Sequence, residues 1–165
     1  MNLRRFIWNT RLISDRKRIE SFPAFWLMRI KVLELDPDWR HIRIRLPHSW
    51  IATNIGGSLF GGFQACLADP IAAMACMKIF PGYAIWTRSL SLDFREQGLS
   101  DLELRFEIAP ETEQKIREEL ARKGRSTPLF EYAYYQTDGS LCTLVRTTVA
   151  IRPAGYKKEL KNTST

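Results

Sequence analysis

Cysteine and histidine are scarce in this chain. It has three cysteines, Cys66, Cys76 and Cys142, and two histidines, His41 and His48. The cysteines are odd in number, widely spaced and without a histidine partner, so they predict neither a disulfide framework nor a zinc site. We expect a protein of the reducing cytoplasm that works without a metal or a redox cofactor. His41 falls on the solvent side of a predicted strand and His48 follows a proline in a loop, so neither lies in a catalytic pattern.

A long hydrophobic run is also absent. The most apolar stretch, residues 59–80, is interrupted by Gln64, Asp69, Pro70 and Lys78. A membrane helix needs roughly 18 or more apolar residues, so this stretch predicts a buried helix of a soluble protein. The arginine pair near the amino terminus is followed by no apolar segment, and it therefore predicts no secretion signal.

The positive charge is concentrated at the two ends. The formal net charge is +7, yet residues 1–18 hold six basic side chains against one acidic, and residues 152–165 hold four against one. The part between them is close to neutral. A protein that reads nucleic acid carries its charge on a folded face, so we expect no nucleic-acid partner. Solvated ends explain the pattern, while attraction of the ends to phosphates or an anionic surface remains the alternative.

Hydrophobic periodicity predicts one α+β domain. Strands are predicted at residues 30–35, 41–46, 85–95 and 102–108, around Tyr132 and Tyr134, and at 141–151. A long apolar helix is predicted to run to Phe80, and residues 111–123 read as a charged helical insert. The strands lack regular crossover helices, so they predict an antiparallel sheet wrapped around the apolar helix. Residues 1–28 predict a helical segment that can break at Pro23, residues 29–152 the main domain, and residues 153–165 a basic tail.

One glycine-rich corner carries the most specific pattern, Asn54-x-x-Gly57-x-x-Phe60-Gly61-Gly62-x-x-x-x-Leu67-Ala68-Asp69. Glycines let a backbone approach a ligand closely, and a helix N-terminus presents unpaired N–H groups that can hold a developing oxyanion. Asp69 is the only acid between Asp38 and Asp93. Apolar surroundings raise the pKa of a carboxylate, so an Asp69 set among apolar neighbours is expected to act as a base.

This pattern resembles the motif of hotdog-fold acyl-CoA thioesterases of the phenylacetate-pathway type. The run from Asn54 to Pro70 is still more similar to the branch known as domain of unknown function 4442, or YiiD C-terminal-like. The resemblance implies a hotdog fold, a dimer or dimer of dimers, and an acyl-CoA or acyl-carrier-protein substrate. It also implies that Asp69 is nucleophile or base, that the Gly61 amide polarises the thioester, that Asn54 places substrate or water, and that different subunits supply the two halves.

Two positions depart from the resembled motif. Phe60 stands where the resembled enzymes usually have histidine, and Ala73 stands where some have a hydroxyl. These departures favour a non-catalytic acyl-binding or structural dimer as the alternative function.

The further substrate-binding candidates are Gly57, Phe60, Gly62, Arg88 and Arg95. The two arginines are candidates for binding the phosphates of coenzyme A.

The candidate residues also have purely structural interpretations. Asp69 followed by Pro70 can be the N-cap of a restarted helix. The paired glycines can serve close packing alone, Asn54 can be a turn residue, and exposed arginines on a strand are often only solubilising.

Overall fold

The computed structural model describes residues 13–156, and the predictions for residues 1–12 and 157–165 lie outside them. The elements in chain order are α1 (Asp15–Glu20), α2 (Pro23–Leu27), β1 (Lys31–Leu35), β2 (His41–Leu46), α3 (Gly61–Ile79), β3 (Tyr83–Phe94), β4 (Leu102–Glu107), α4 (Pro110–Lys123), β5 (Leu129–Tyr135) and β6 (Leu141–Pro153). No helix in this part of the chain is both long and apolar enough to cross a membrane.

The six strands form one sheet in the order β1-β2-β4-β5-β6-β3, and every neighbouring pair is antiparallel. Residues alternate between the two faces, as the pattern of β2 predicts: Ile42, Ile44 and Leu46 are buried and the residues between them are exposed. In the register with β4, Ile44 pairs with Leu104, which is also buried. One face of the sheet therefore forms the core, and the other carries the charges.

Helix α3 packs on the core face and stays continuous through Pro70. Three sheet hydroxyls donate hydrogen bonds to carbonyl oxygens of the helix. Tyr134 donates to Gln64 O, Tyr132 donates to Ala68 O, and Thr87 donates to the main-chain oxygen of Asp69, each at 2.7 Å. These bonds hold the middle of the helix against β3 and β5. The prediction of one long helix enclosed by the sheet is confirmed.

Strand β3 lies at one edge of the sheet, and its outer side pairs with no strand among the described residues. Its register with β6 shifts between Thr87 and Ser89, which leaves Arg88 as an extra residue. Such a β-bulge changes which residues face the helix. The bulge explains why Thr87 and Leu92, five residues apart, both lie on the core side although strict alternation would separate them.

Two short helices precede the sheet, and a third helix lies between β4 and β5. Within residues 13–28 the expected segment is two short helices, and Pro23 begins the second because a first helical position needs no N–H. The charged insert is confirmed as α4, which ends at Gly124 with φ of 65°. The carboxylate of Glu113 fixes α4 by accepting hydrogen bonds from Arg40 and Arg117, at 2.6–3.0 Å.

Candidate active site

The N-terminus of α3 presents two adjacent free amides. Phe60 is the N-cap residue, with extended backbone, and Gly61 and Gly62 are the first two helical residues. Within residues 13–156, neither Gly61 N–H nor Gly62 N–H has a hydrogen-bond acceptor. Unpaired amides at a helix N-terminus bind anions and polarise carbonyl groups. The corner can therefore hold an anionic group or a polarised carbonyl oxygen.

Two aromatic rings lie against these glycines. A Cβ atom at Gly61 would lie 2.9 Å from Phe94 Cζ, and one at Gly62 would lie 2.3 Å from Phe60 Cε1. Both rings are about half exposed, at 50% for Phe60 and 54% for Phe94. The absence of side chains at positions 61 and 62 is thus what admits the rings, and apolar surface flanks the free amides.

The loop before the helix folds into a tight turn closed by Asn54 and Ser58. Asn54 Nδ2 donates to Ser58 Oγ at 2.9 Å, and its Oδ1 accepts from Ser58 N–H at 3.3 Å. Gly57 has φ of 79°, a conformation that other residues rarely adopt. The turn lines a groove of about 610 Å³ together with Phe60 and Gln97. The structural interpretation of Asn54 as a turn residue is confirmed, and one amide hydrogen remains for a ligand.

Asp69 lies in the middle of α3, and its side chain is exposed. Pro70 lies inside the continuous helix, so the interpretation of Asp69 as an N-cap is wrong. The expectation of an apolar setting is also wrong for the protomer, because Leu67 and Ala68 turn toward the core while Asp69 turns away from it. Partial burial and the nearby Asp69 carboxylate raise the pKa of the Cys66 thiol, one turn earlier.

The exposed side of α3 is a stripe that is interrupted at the buried Ala73. Gly62, Cys66, Asp69 and Met77 lie on this side of the helix and are all exposed, Met77 at 50%. The sheet covers the opposite side of the helix, as predicted, and leaves these residues exposed in the protomer. An exposed, partly apolar stripe of this kind is a surface on which another protein can pack.

The two arginine candidates have different surroundings. Arg95 directly follows β3, and its Nε donates to Asp93 of that strand, which engages one of its N–H donors. Arg88, the extra residue of the β3 bulge, is exposed and forms no ion pair with any residue in 13–156. Arg88 is therefore the freer of the two for an anionic ligand.

Sequence reasoning missed two residues of this corner. Ser58 receives the Asn54 amide, and the imidazole of His48 contacts the main-chain oxygen of Gly57 through Nε2 at 2.9 Å. His48 precedes Gly57 by nine positions and lies in no motif. The contact with Gly57 forms only when the loop folds, so the sequence alone does not indicate it.

The fold is shared with thioesterases of known structure. A Pseudomonas aeruginosa protein described as a probable thioesterase is 18% identical, with a TM-score of 0.73 over 83% of this chain and 92% of its own. A thioesterase from Haemophilus influenzae is 13% identical, with a TM-score of 0.65 over 87% and 94%. The PaaI protein from the phenylacetic acid degradation operon of Escherichia coli is 17% identical, with a TM-score of 0.60 over 80% and 86%. These similarities confirm the predicted hotdog fold.

The sequence itself places the chain in a family. A comparison with curated proteins returned no match. The profile of the family described as a domain of unknown function, DUF4442, matches residues 12–151. This range covers the whole sheet except its last two residues, and it includes the glycine corner and α3. The chain therefore belongs to the DUF4442 family.

Proposed function

We propose that the protein hydrolyses acyl thioesters carried by coenzyme A or by an acyl carrier protein. The observation that carries this proposal is the pair of free amides at Gly61 and Gly62, which lies on the same helix as an exposed carboxylate, Asp69. The fold shared with named thioesterases supports it.

The chemistry follows from the geometry of the donors. The Gly61 amide, with Gly62 beside it, donates to the carbonyl oxygen of the thioester and stabilises the negative charge that develops there. Asp69 either removes a proton from the water that attacks the carbonyl carbon, or attacks that carbon itself and forms a mixed anhydride. In both cases the C–S bond breaks, and the carrier leaves as a thiolate that takes up a proton. The first route releases the carboxylic acid directly, and in the second a water molecule hydrolyses the anhydride, which releases the acid and restores Asp69.

The two halves of this site must come from different protomers. Asp69 follows Gly61 by eight residues, which is about 12 Å along a helix axis. A reacting carbonyl carbon and its oxygen are far closer than that, so one helix cannot supply both groups to one thioester. Pairing of two copies through the β3 edge would place two α3 helices side by side. We infer a homodimer, alone or as a dimer of dimers, whose two-fold symmetry creates two equivalent sites.

The remaining candidates surround these groups. Asn54 and Gly57 form the turn that lines the groove, and the Phe60 ring over Gly62 gives an apolar wall beside the donors. Asn54 is proposed to place substrate or water with its remaining amide hydrogen. Arg88 is proposed to meet phosphates of the carrier, and Arg95, which is bonded to Asp93 through Nε, is the second candidate.

A specific observation favours the second candidate function, a non-catalytic acyl-binding dimer. The Asn54 amide is already engaged by Ser58, and position 60 carries an apolar ring where the resembled enzymes usually have imidazole. Such a protein would bind an acyl thioester in the same groove without turning it over.

A substrate panel separates the two functions. Purified protein is incubated with short, long and aromatic acyl-CoAs and with one matched acyl carrier protein, and released carrier is followed by chromatography. Chromatography is preferred to a thiol reagent because Cys66 is exposed and would react. Turnover of at least one substrate that is lost in Asp69→Asn supports the enzyme. Tight binding of a thioether analogue with no turnover on the whole panel supports the acyl-binding protein.

A further inference from the structure

The side chain of His48, which lies outside the loop segment 49–60, bonds to the turn that carries Asn54. Residues 55–57 are exposed, and two of them are glycines, so little packing restrains the turn. Its internal hydrogen bonds join Asn54 to Gly57 and to Ser58. Among the described residues, His48 is the only one outside the loop segment 49–60 whose side chain bonds to residues 54–58.

The partner of the His48 ring indicates which ring nitrogen carries the hydrogen in this contact. The partner of Nε2 is the carbonyl oxygen of Gly57 at 2.9 Å, and a carbonyl only accepts. Nε2 must therefore carry hydrogen and donate it. The histidine backbone is itself fixed, since His48 N–H donates to Asp101 Oδ1 at 2.8 Å, and Arg45 lies 3.7 Å from the other oxygen of that carboxylate.

Gly57, the residue whose carbonyl His48 binds, lies next to the candidate site. Gly57 has the left-handed backbone that reverses the chain, and its N–H donates to Asn54 O at 3.0 Å. Holding the Gly57 carbonyl therefore fixes the turn that orients the Asn54 side chain and forms one wall of the groove. On this geometry we propose that His48 is a positioning residue of the site, which acts through the Gly57 carbonyl on Asn54. This inference rests on the proposed function for its effect on turnover, though its structural part stands alone.

Variants at His48 separate a positioning role from a general structural one. His48→Leu removes the donor, while His48→Gln keeps an N–H at a similar reach from the backbone. His41, on the outer face of β2, is a matched control because it pairs with Asp36 and Glu107 far along the sheet from the turn. The first readout is hydrogen exchange of the segment 53–59. We expect exchange to rise roughly 2- to 12-fold in His48→Leu, the range that one net hydrogen bond supports. His48→Gln and His41→Leu should match wild type.

The second readout is turnover, with Asn54→Ala as the reference. If His48 acts through Asn54, His48→Leu lowers kcat/KM in the wild-type background and has no further effect in Asn54→Ala, and His48→Gln restores it. The midpoint of thermal unfolding should stay close to wild type in all three, because the contact lies on an exposed loop.

The outcomes distinguish this inference from the proposed function. Unchanged exchange of residues 53–59 in His48→Leu overturns the positioning role, whether or not the protein has a substrate. Raised exchange with an additive loss of turnover in the double variant also overturns it, because His48 then acts independently of Asn54. Absence of turnover in wild type removes the enzyme, and the exchange result still decides whether His48 holds the turn.

Discussion

The hydroxyl of Thr87 donates a 2.7 Å hydrogen bond to the main-chain oxygen of Asp69. This bond joins the edge strand β3, at the start of its bulge, to the residue of α3 that is proposed to carry the chemistry. The carboxylate of Asp69 is itself exposed. A protein that docks on the β3 edge would thus contact a strand that is hydrogen-bonded to the backbone of Asp69.

Replacing Asp69 by asparagine is expected to abolish turnover and leave the fold intact. An amide can neither take a proton at neutral pH nor attack a thioester, so kcat should fall by roughly 10²–10⁴. The side chain is exposed and caps no helix, so the free energy of unfolding should change little. The measurements are kcat on a substrate from the panel and a urea titration. Wild-type turnover in Asp69→Asn would remove the residue from the mechanism.

Thr87→Val is expected to weaken the link between β3 and α3. Valine keeps the shape and removes the donor, which should cost about 0.5–1.5 kcal/mol of unfolding free energy. Thr87→Ser keeps the hydroxyl and serves as the control. A urea titration of the three proteins checks the stability, and kcat shows whether the bond also places Asp69. A valine variant with wild-type stability and kcat would show that the bond has neither role.

Gly61→Ala is expected to be destabilising through Phe94. The new methyl group would lie 2.9 Å from Phe94 Cζ, so the ring must move. In Gly61→Ala/Phe94→Ala the clash disappears. We therefore expect a non-additive cycle, with a coupling of about 0.5–3 kcal/mol between the two positions. Urea titrations of the four proteins give the coupling, and strict additivity would show that the ring moves aside without cost.

The pH dependence of stability is expected to contain a contribution from Glu113. The hydrogen bond from Arg40 is the largest cause that lowers its pKa below the ordinary value of 4.5, with Arg117 adding to it. A lowered folded-state pKa adds stability above the unfolded-state pKa, and this stability is lost as pH falls through the folded-state pKa. Glu113→Gln should therefore lose about 1–3 kcal/mol at neutral pH and less below about pH 4. Equal losses at pH 7 and pH 3, measured by denaturant titration, would contradict this account.

The protein is expected to be dimeric at micromolar concentration. Strand β3 is twelve residues long, and its outer edge pairs with no strand within residues 13–156. An open edge of this length invites aggregation. Light scattering gives the mass directly. Leu90→Pro or Ser91→Pro places a residue without N–H in the edge, and one of the two should shift the mass toward the monomer, depending on which amide points outward. A monomeric wild-type protein would exclude both the dimer and the shared site.

The regular elements follow from local patterns in the sequence. Ile42, Ile44 and Leu46 alternate with charges, and this alone predicts a strand with one buried face. The long run of apolar residues predicts α3, and Asp138-Gly139 predicts the hairpin between β5 and β6. The order of strands in the sheet was not predicted, because β3 pairs with β6 and lies far from β2 and β4. Such pairing depends on contacts between distant parts of the chain.

The residues of the candidate site were proposed from the sequence, but their surroundings were not predicted. The glycines and Asp69 stand out because their spacing is local. The exposure of Asp69 was missed because its sequence neighbours Leu67 and Ala68 are apolar, and the helix turns them to the opposite side. His48 was missed because its bond to Gly57 spans nine residues of irregular loop. Neighbours in sequence describe a helical residue's surroundings poorly, since successive side chains point about 100° apart.

The contact between Phe60 and Gly62 restricts how this corner can evolve. A side chain at position 62 would place its Cβ 2.3 Å from the Phe60 ring. Position 62 can therefore accept another residue only after position 60 has lost its ring or turned it away. Within this family, lineages with an aromatic residue at the Phe60 position should keep glycine at the Gly62 position. Lineages with a small residue at position 60 should be the ones in which position 62 varies.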